Sequence, residues 1–454
     1  MLEAVVRPSD FHYPLAMSSW KAFASVALLL APAHFTAAND AAFFRGPSLY
    51  SATPVHNDSI QMVAERILVD VHLEPVSITS VRARIVFHCR YELENLELQP
   101  VQIELGFPIN NTISAWSRNM LETEQAHKHQ SVVPGSFRTW VNGTSVESEL
   151  LQAEANPGLS IPDYDAVYLF PVQFRARERV IVEHTLTQIH PGRVATPSGT
   201  FGPFDINYIL QTASAWSGPI SHAQIEVTIH IPESLLDIVE VTPRTFERDT
   251  VAGRPRFRLN VEDFVPHSDV LIRFDIDREA SAATVTSELT RWVNERDLEL
   301  TALGAYYLAT RPSIIDALDP DVVRAAFYWS GNHHYFQENW YAAIHAFERS
   351  LYEAFTALTN GPDVIPDGFE PTSLYFAHPL DLSNVPVRSA SEAPEYFAAY
   401  NLAAAYSRLA QERGETRWLD EVATWLDVAV RINRRVIQPL IENDPDLEFY
   451  RGHR

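Results

Sequence analysis

Residues 327–351 read FYWSGNHHYFQENWYAAIHAFERSL, and the spacing within this stretch decides the architecture of the C-terminal part of the chain. Phe327, Gly331 and Tyr335 recur every four residues, so they share one helix face; after a break around Asn339, Ala343, Phe347 and Leu351 repeat the spacing on a second helix. Two helices so patterned are expected to pack on each other. Small Gly331 and Ala343 let the backbones approach while Phe347 fills the groove between them. Such a unit suits docking better than catalysis.

The same spacing recurs, less regularly, at residues 400–433, YNLAAAYSRLAQERGETRWLDEVATWLDVAVRIN. Leu402, Ala403 and Tyr406 take the first-helix positions there, and Val422, Leu426 and Ala429 the second. Gly331, Ala343 and Phe347 have the order and spacing of the tetratricopeptide repeat, which this region resembles. It departs from that pattern in the long turn at residues 412–418 and in Val422, where the repeat has alanine. The resemblance implies a stack of hairpins of about three units, with residues 289–308 as the third layer. It also implies a docking face: Asn332 and Asn401 match positions at which repeats of this kind hold a peptide. Tyr328 stands where a carboxylate-clamping lysine belongs, which weakens that particular mode. Tyr328 and Tyr335 are the aromatic candidates beside the asparagines, able to stack on and hydrogen-bond an extended peptide.

Outward from these helices the pattern changes. Between residues 60 and 280 apolar residues alternate, most clearly in AQIEVTIHI, where Ala223, Ile225, Val227, Ile229 and Ile231 face one way. Similar runs separated by Pro, Gly and Asn predict an antiparallel β-sandwich with one wet face. Long connections at residues 111–134 and 152–165 interrupt it. Phe107 with Pro108, and the run Tyr208, Leu210, Thr212, Trp216, Gly218, Pro219 and Ile220, resemble an uncharacterised family of exported bacterial proteins built around a β-rich domain. That resemblance implies export and a β domain, without implying chemistry. The expected fold class is therefore α+β: a β-sandwich at 60–280 and a helical tetratricopeptide-like domain at 285–454. The proline-rich stretch 360–394 is expected as an insertion packed on the helices, through Phe369, Leu374, Tyr375, Phe376 and Leu380.

Ahead of the β domain, residues 17–40 read MSSWKAFASVALLLAPAHFTAAND: one cation, an apolar run and small residues at Thr36 and Ala38, the three parts of an export signal. Residues 1–38 are accordingly expected to be a signal peptide with an upstream extension, followed by a linker at 39–59. The apolar run is short for a bilayer, so the mature chain is expected to be extracytoplasmic, periplasmic or secreted, without a transmembrane anchor.

The 454 residues carry a formal charge of −23 with 46% hydrophobic and 20% charged residues, an ordinary globular balance whose sign disfavours nucleic acid. Lysine occurs only at Lys21 and Lys128, which removes Schiff-base and phosphate-loop chemistry from most of the chain. The zinc-protease, serine-hydrolase and paired-cysteine motifs are absent. Glu124, His127 and His129 lie close in sequence but fall short of a metal site, Asp275 and Asp277 read as a solvated strand end, and Cys89 and His184 read as core residues. Cofactors and metals are not expected. The function expected from these features is non-enzymatic binding of a protein or peptide. The alternatives are an envelope hydrolase using metal or carboxylate chemistry in the β-domain loops, and cell-wall carbohydrate binding near Trp329 and Trp340.

Overall fold

The computed structural model describes residues 36–38, 41–45, 52–54, 56–109, 132–152, 166–194, 204–210, 216–276, 280–359 and 395–453. Strands β1 (Thr36–Ala38), β2 (Ala41–Arg45) and β3 (Ala52–Pro54) precede a long hairpin, β4 (Ile60–Ser77) and β5 (Ser80–Asn95). Then come β6 (Val101–Ile109), β7 (Arg138–Val141), β8 (Thr144–Val146), β9 (Glu149–Gln152), β10 (Ala166–Phe174) and β11 (Arg179–Val194). The β region closes with β12 (Phe204–Ile209), β13 (Ile220–Ile229), β14 (Leu236–Thr242), β15 (Glu247–Val251), β16 (Arg254–Phe264) and β17 (Val270–Ile276).

These strands form two sheets. One has the order β15-β16-β13-β4-β5-β11-β7-β8; the other runs β14-β17-β12-β1-β6-β10-β9, with β2 on β6 and β3 on β2. Most pairs are antiparallel, but β13 lies parallel to β4 and β1 parallel to β12, so the sheets are mixed rather than wholly antiparallel. The chain leaves β12 in one sheet, turns at Gly218 (φ +70°) and enters the other beside β4, where it runs in the same direction as its new neighbour. Two of the pairing segments lie where the sequence predicts other things. Thr36–Ala38, within the expected export signal, pairs with β6 and β12, and the expected linker supplies β2 and β3.

Alternation accounts for the core. Ala223, Ile225, Val227, Ile229 and Ile231 are all buried, in one cluster with residues of both sheets, including Phe87, Phe107, Phe170 and Phe274. Trp216 and Cys89 are buried in the same cluster. In β4 the register shifts between Met62 and Ala64, which swaps the parity of the strand: Ile60 and Met62 point inward before it, and Glu65, Ile67, Val69 and Val71 after it.

The helical part comprises α1 (Ala282–Glu295), α2 (Leu298–Thr310), the short α3 (Pro312–Ile315), α4 (Pro320–Phe336), α5 (Trp340–Thr359), α6 (Glu395–Arg413), α7 (Leu419–Asn443) and α8 (Glu448–His453). It starts slightly before the sequence-based boundary, because the Ser281 hydroxyl accepts the Thr284 N–H and caps α1. Asp319 and Pro320 start α4 as their types predict, the carboxylate accepting the Asp321 N–H. Helices α4 and α5 form one hairpin, α6 and α7 the next, and α5 packs on α6. Gly331 is where α4 meets α5: a Cβ placed there falls 2.5 Å from the Phe347 ring. Gly304 does the same for the pair before it, with Leu289 and Trp292 opposite. Stretch 360–394 lies outside the described residues.

The helical layer is seated on the β part. Helices α2 and α5 pack on β4, Ile78 at the tip of the β4–β5 hairpin enters the core of α1, α2 and α4, and Asn339 donates its side-chain N–H to the Val76 carbonyl at 2.8 Å.

Candidate functional site

The structure brings the predicted docking residues into one neighbourhood, with Asn332 buried and Tyr328, Tyr335 and Asn401 partly buried. Asn332 on α4 is 8% exposed; its Nδ2 donates to the Tyr328 carbonyl at 3.2 Å, and its Oδ1 accepts from Asn401 Nδ2 on α6 at 3.0 Å. Tyr335 donates its phenol to Asp446 in the turn between α7 and α8, and Tyr400 donates to Asp444 of the same turn. Tyr328 lies against Phe347 with centroids 6.0 Å apart. These groups therefore tie α4, α6 and the C-terminal turn to each other. Burial and the Asp446 carboxylate push the Tyr335 phenol far above its usual range, so it stays a donor. Of the residues expected for the alternatives, Trp340 is buried under Arg408 and beside Tyr335, and Glu124, His127 and His129 lie outside the described residues.

A groove on the adjoining helix pair was not anticipated. Tyr341, Ile344, His345 and Glu348 stand one above another on α5, at the i, i+3, i+4, i+7 spacing of a single stripe, and face Tyr406 and Leu409 of α6. Trp418, in the 3-10 turn Thr416–Trp418 before α7, closes the end. The walls are aromatic: the Tyr406 and Trp418 rings lie 5.8 Å apart at 28°, and Tyr341 is 37% exposed at the rim. At the floor Tyr406 donates its hydroxyl to Glu348 Oε1 at 2.8 Å. Glu348 is 8% exposed. Burial pushes its carboxyl up to about 8, Glu421 adding to the rise and the Tyr406 hydrogen bond opposing it. The space between these side chains is small, about 20 Å³, and partly open to solvent. Glu348 next to Arg349 reads locally as a solvated helix face; the only signal in the sequence is that it falls four residues after Ile344, on the apolar stripe.

A second polar cluster occupies the seam between sheet and helices. His72 and His230 stack with centroids 4.3 Å apart and planes 4° from parallel. Arg254 can only donate, so its 3.0 Å contact makes His230 Nδ1 an acceptor, and the Nε2 proton goes to Asp70 at 2.6 Å. Burial, then His230 and Arg84, hold His72 down at about 4 against the pull of Asp70 and Glu74. Glu74 sits between Arg82 and Arg84, whose pairing outweighs its burial and keeps it below the usual carboxylate range. Each charge here has a partner, so the cluster reads as a joint. Among the described residues no group of three His, Cys, Asp or Glu side chains is placed to hold a metal ion. His184 is a core residue as expected, with Nδ1 3.0 Å from the Thr139 hydroxyl and rings of Phe107, Phe137 and Phe170 around it.

No family model matches this chain, and no curated protein matches it. Solved structures align with it at low scores. One is a proposed nutrient-binding protein from Legionella pneumophila, at 15% identity and a TM-score of 0.38, covering 65% of this chain and 83% of its own. Another is an M1 zinc metallopeptidase from Deinococcus radiodurans, at 10% identity and a TM-score of 0.24, covering 48% of this chain and 43% of its own. A two-domain M1 zinc metallopeptidase variant bound to L-arginine aligns over 88% of this chain and 94% of its own, again at 10% identity and a TM-score of 0.24. Likeness at these scores carries no argument about activity.

Proposed function

We propose that the protein is an exported, non-catalytic binding protein that docks a protein or peptide partner on its helical domain. In this reading the two sheets are the layers of a β-sandwich that carries the helices, and the helices are a degenerate tetratricopeptide-like array. The observation that carries it is the groove between α5 and α6, a partly open aromatic slot closed at one end by Trp418, against which a segment of a partner can lie. The partner surface is thereby moved from the Asn332 and Asn401 face, whose groups bond each other, to the Tyr341 and Trp418 face. Export rests on the leader-like pattern of residues 17–40.

Selecting a random-peptide display library on the full chain tests the docking reading. Enriched peptides that lose binding to Tyr341→Arg but keep it with Val239→Arg, an exposed control on the β domain, support the groove. A library that enriches nothing, or peptides indifferent to Tyr341→Arg, removes it. Fusing residues 1–45 to a reporter active only outside the cytoplasm tests export separately.

A further inference from the structure

Resting on the groove reading above, we infer that the α5–α6 pocket takes a primary alkylammonium group, held by the Glu348 carboxylate at its floor and the rings of Tyr341, Tyr406 and Trp418 at its walls. Three features of the pocket select that chemistry. First, its lining combines three aromatic rings with one carboxyl, which attract a cation by ring quadrupole and by ion pairing together. The other titratable groups near that carboxyl are His345, which burial holds below its usual range and so keeps neutral, and Glu421, whose charge adds to the attraction. Arginines of this chain already stand over two of these rings, Arg413 5.8 Å from the Tyr341 centroid and Arg417 4.7 Å from that of Trp418. Arg417 is itself paired with Glu415 at 2.6 Å, and neither arginine is among the residues that line the pocket.

Second, the space between these side chains, about 20 Å³, suits a small head group about the size of a water molecule. An alkyl chain would then leave through the slot past Ile344 and Leu409, which supply its apolar sides. Third, the chain is strongly acidic, at −23, and has two lysines in 454 residues, so cationic partners are drawn to it while it has few ammonium groups of its own to offer.

The floor group also dictates a proton balance. Near neutral pH the buried Glu348 carboxyl holds its proton. An arriving ammonium is already charged and forms an ion pair only with the carboxylate, so Glu348 gives its proton to buffer as the ammonium enters: one proton leaves, one cation arrives, and the net charge of the site is unchanged. Tyr406 stays bonded to Oε1 in both states.

An ammonium could come from a free diamine or from a lysine side chain of a partner, and the experiment separates the two. Full-length protein is titrated calorimetrically at pH 7 with 1,4-diaminobutane in one arm. In the other arm it is titrated with a terminally blocked peptide bearing one central lysine, beside the same peptide with that lysine acetylated. Each titration is repeated in buffers of different ionisation enthalpy. The expected result is binding in at least one arm, loss on acetylation, and release of close to one proton. Affinity should weaken about tenfold for each pH unit below 7. Glu348→Gln, close in shape to the neutral acid, should lose about tenfold or more in affinity and abolish the proton release, and Tyr341→Ala should weaken binding while leaving the release intact. The arm with the tighter binding names the source. Failure of both arms, or unchanged binding by Glu348→Gln, overturns the inference. If displayed peptides still select the Tyr341 face in that case, docking stands and only its ammonium chemistry falls; if they do not, the docking reading falls with it.

Discussion

Glu65 in the β part and Glu348 in the helical part are both buried carboxyls bonded by a tyrosine, yet only one can meet a ligand. Glu65 is 1% exposed: Tyr208, from the facing sheet, donates to its Oε1 at 3.2 Å, and the Tyr91 hydroxyl lies 2.7 Å behind that of Tyr208. Burial raises the Tyr208 phenol well above its usual range, so it stays a donor in this sealed chain. Glu348 has a similar bond to Tyr406, but its pocket opens between two helices. A buried acid is thus not a site in itself. What distinguishes the two is the layer that holds them: facing strands close over a side chain on every side, whereas adjacent helices touch along a line and leave a slot at the end of it.

The strongest way to break the comparison is at the sealed acid. Glu65→Ala should cost about 2–4 kcal/mol in urea unfolding, because it leaves a cavity and removes the acceptor of the buried Tyr208 phenol, and it should leave ligand binding to the helical groove unaltered. A loss of binding in Glu65→Ala as large as that in Glu348→Gln would mean that the two regions are not independent.

Gly331→Ala comes next. Its added methyl falls 2.5 Å from Phe347, which is fully buried and has no room to yield, so a loss of about 1–3 kcal/mol is expected in the same assay. Because Phe347 adjoins Glu348 on α5, this variant should also distort the groove, whereas Glu65→Ala should not.

The third prediction separates the acids by pH. Glu348 has a folded pKa of about 8, above the ordinary carboxylate value of 4.5, so between those limits folding takes up a proton. Its contribution is fully present below pH 4.5 and is lost as pH rises through 8. Glu348→Gln should flatten that slope and unfold later than the parent at pH 8, by about 1–2 kcal/mol. An unchanged slope would show that Glu348 is ionised in the folded protein.

The smallest effect has the opposite sign. His72 is held at about 4 against an ordinary 6.5, so the unfolded chain binds the proton first and stability falls as pH drops from 6.5 to 4. His72→Gln should remove that loss, worth less than about 1 kcal/mol because the ring is partly exposed and screened. Parent and variant should differ at pH 4.5 and coincide at pH 7.

Much of the fold was legible in residue spacing. The four-residue repeat predicted α4 and α5, with Gly331 under Phe347, and Leu402, Ala403, Tyr406, Val422, Leu426 and Ala429 are buried as their positions require. The alternation predicted β13. Less was legible of the groups that could act. Asn332 and Asn401 do fall on neighbouring helices, but there Asn401 donates to the Asn332 carbonyl oxygen, a contact between residues 69 apart that no local spacing records. Glu65 was hidden for another reason: the bulge after Met62 reverses the parity of β4, so a residue that simple alternation places outside points into the core.

What the sequence by itself determined is therefore largely local: the apolar stripes that share a face, the helix start at Asp319 and Pro320, and the close approach of two helices at a glycine. These depend on backbone periods and on contacts a few residues long, which a linear pattern records. The tertiary structure alone decided which faces meet. Tyr406 reaches Glu348 from 58 residues away, Tyr335 reaches Asp446 from 111, and Tyr208 reaches Glu65 from 143. Whether a carboxyl ends in a sealed core or at the floor of an open groove depends on how helices and sheets leave space where they pack, and no local pattern contains that space.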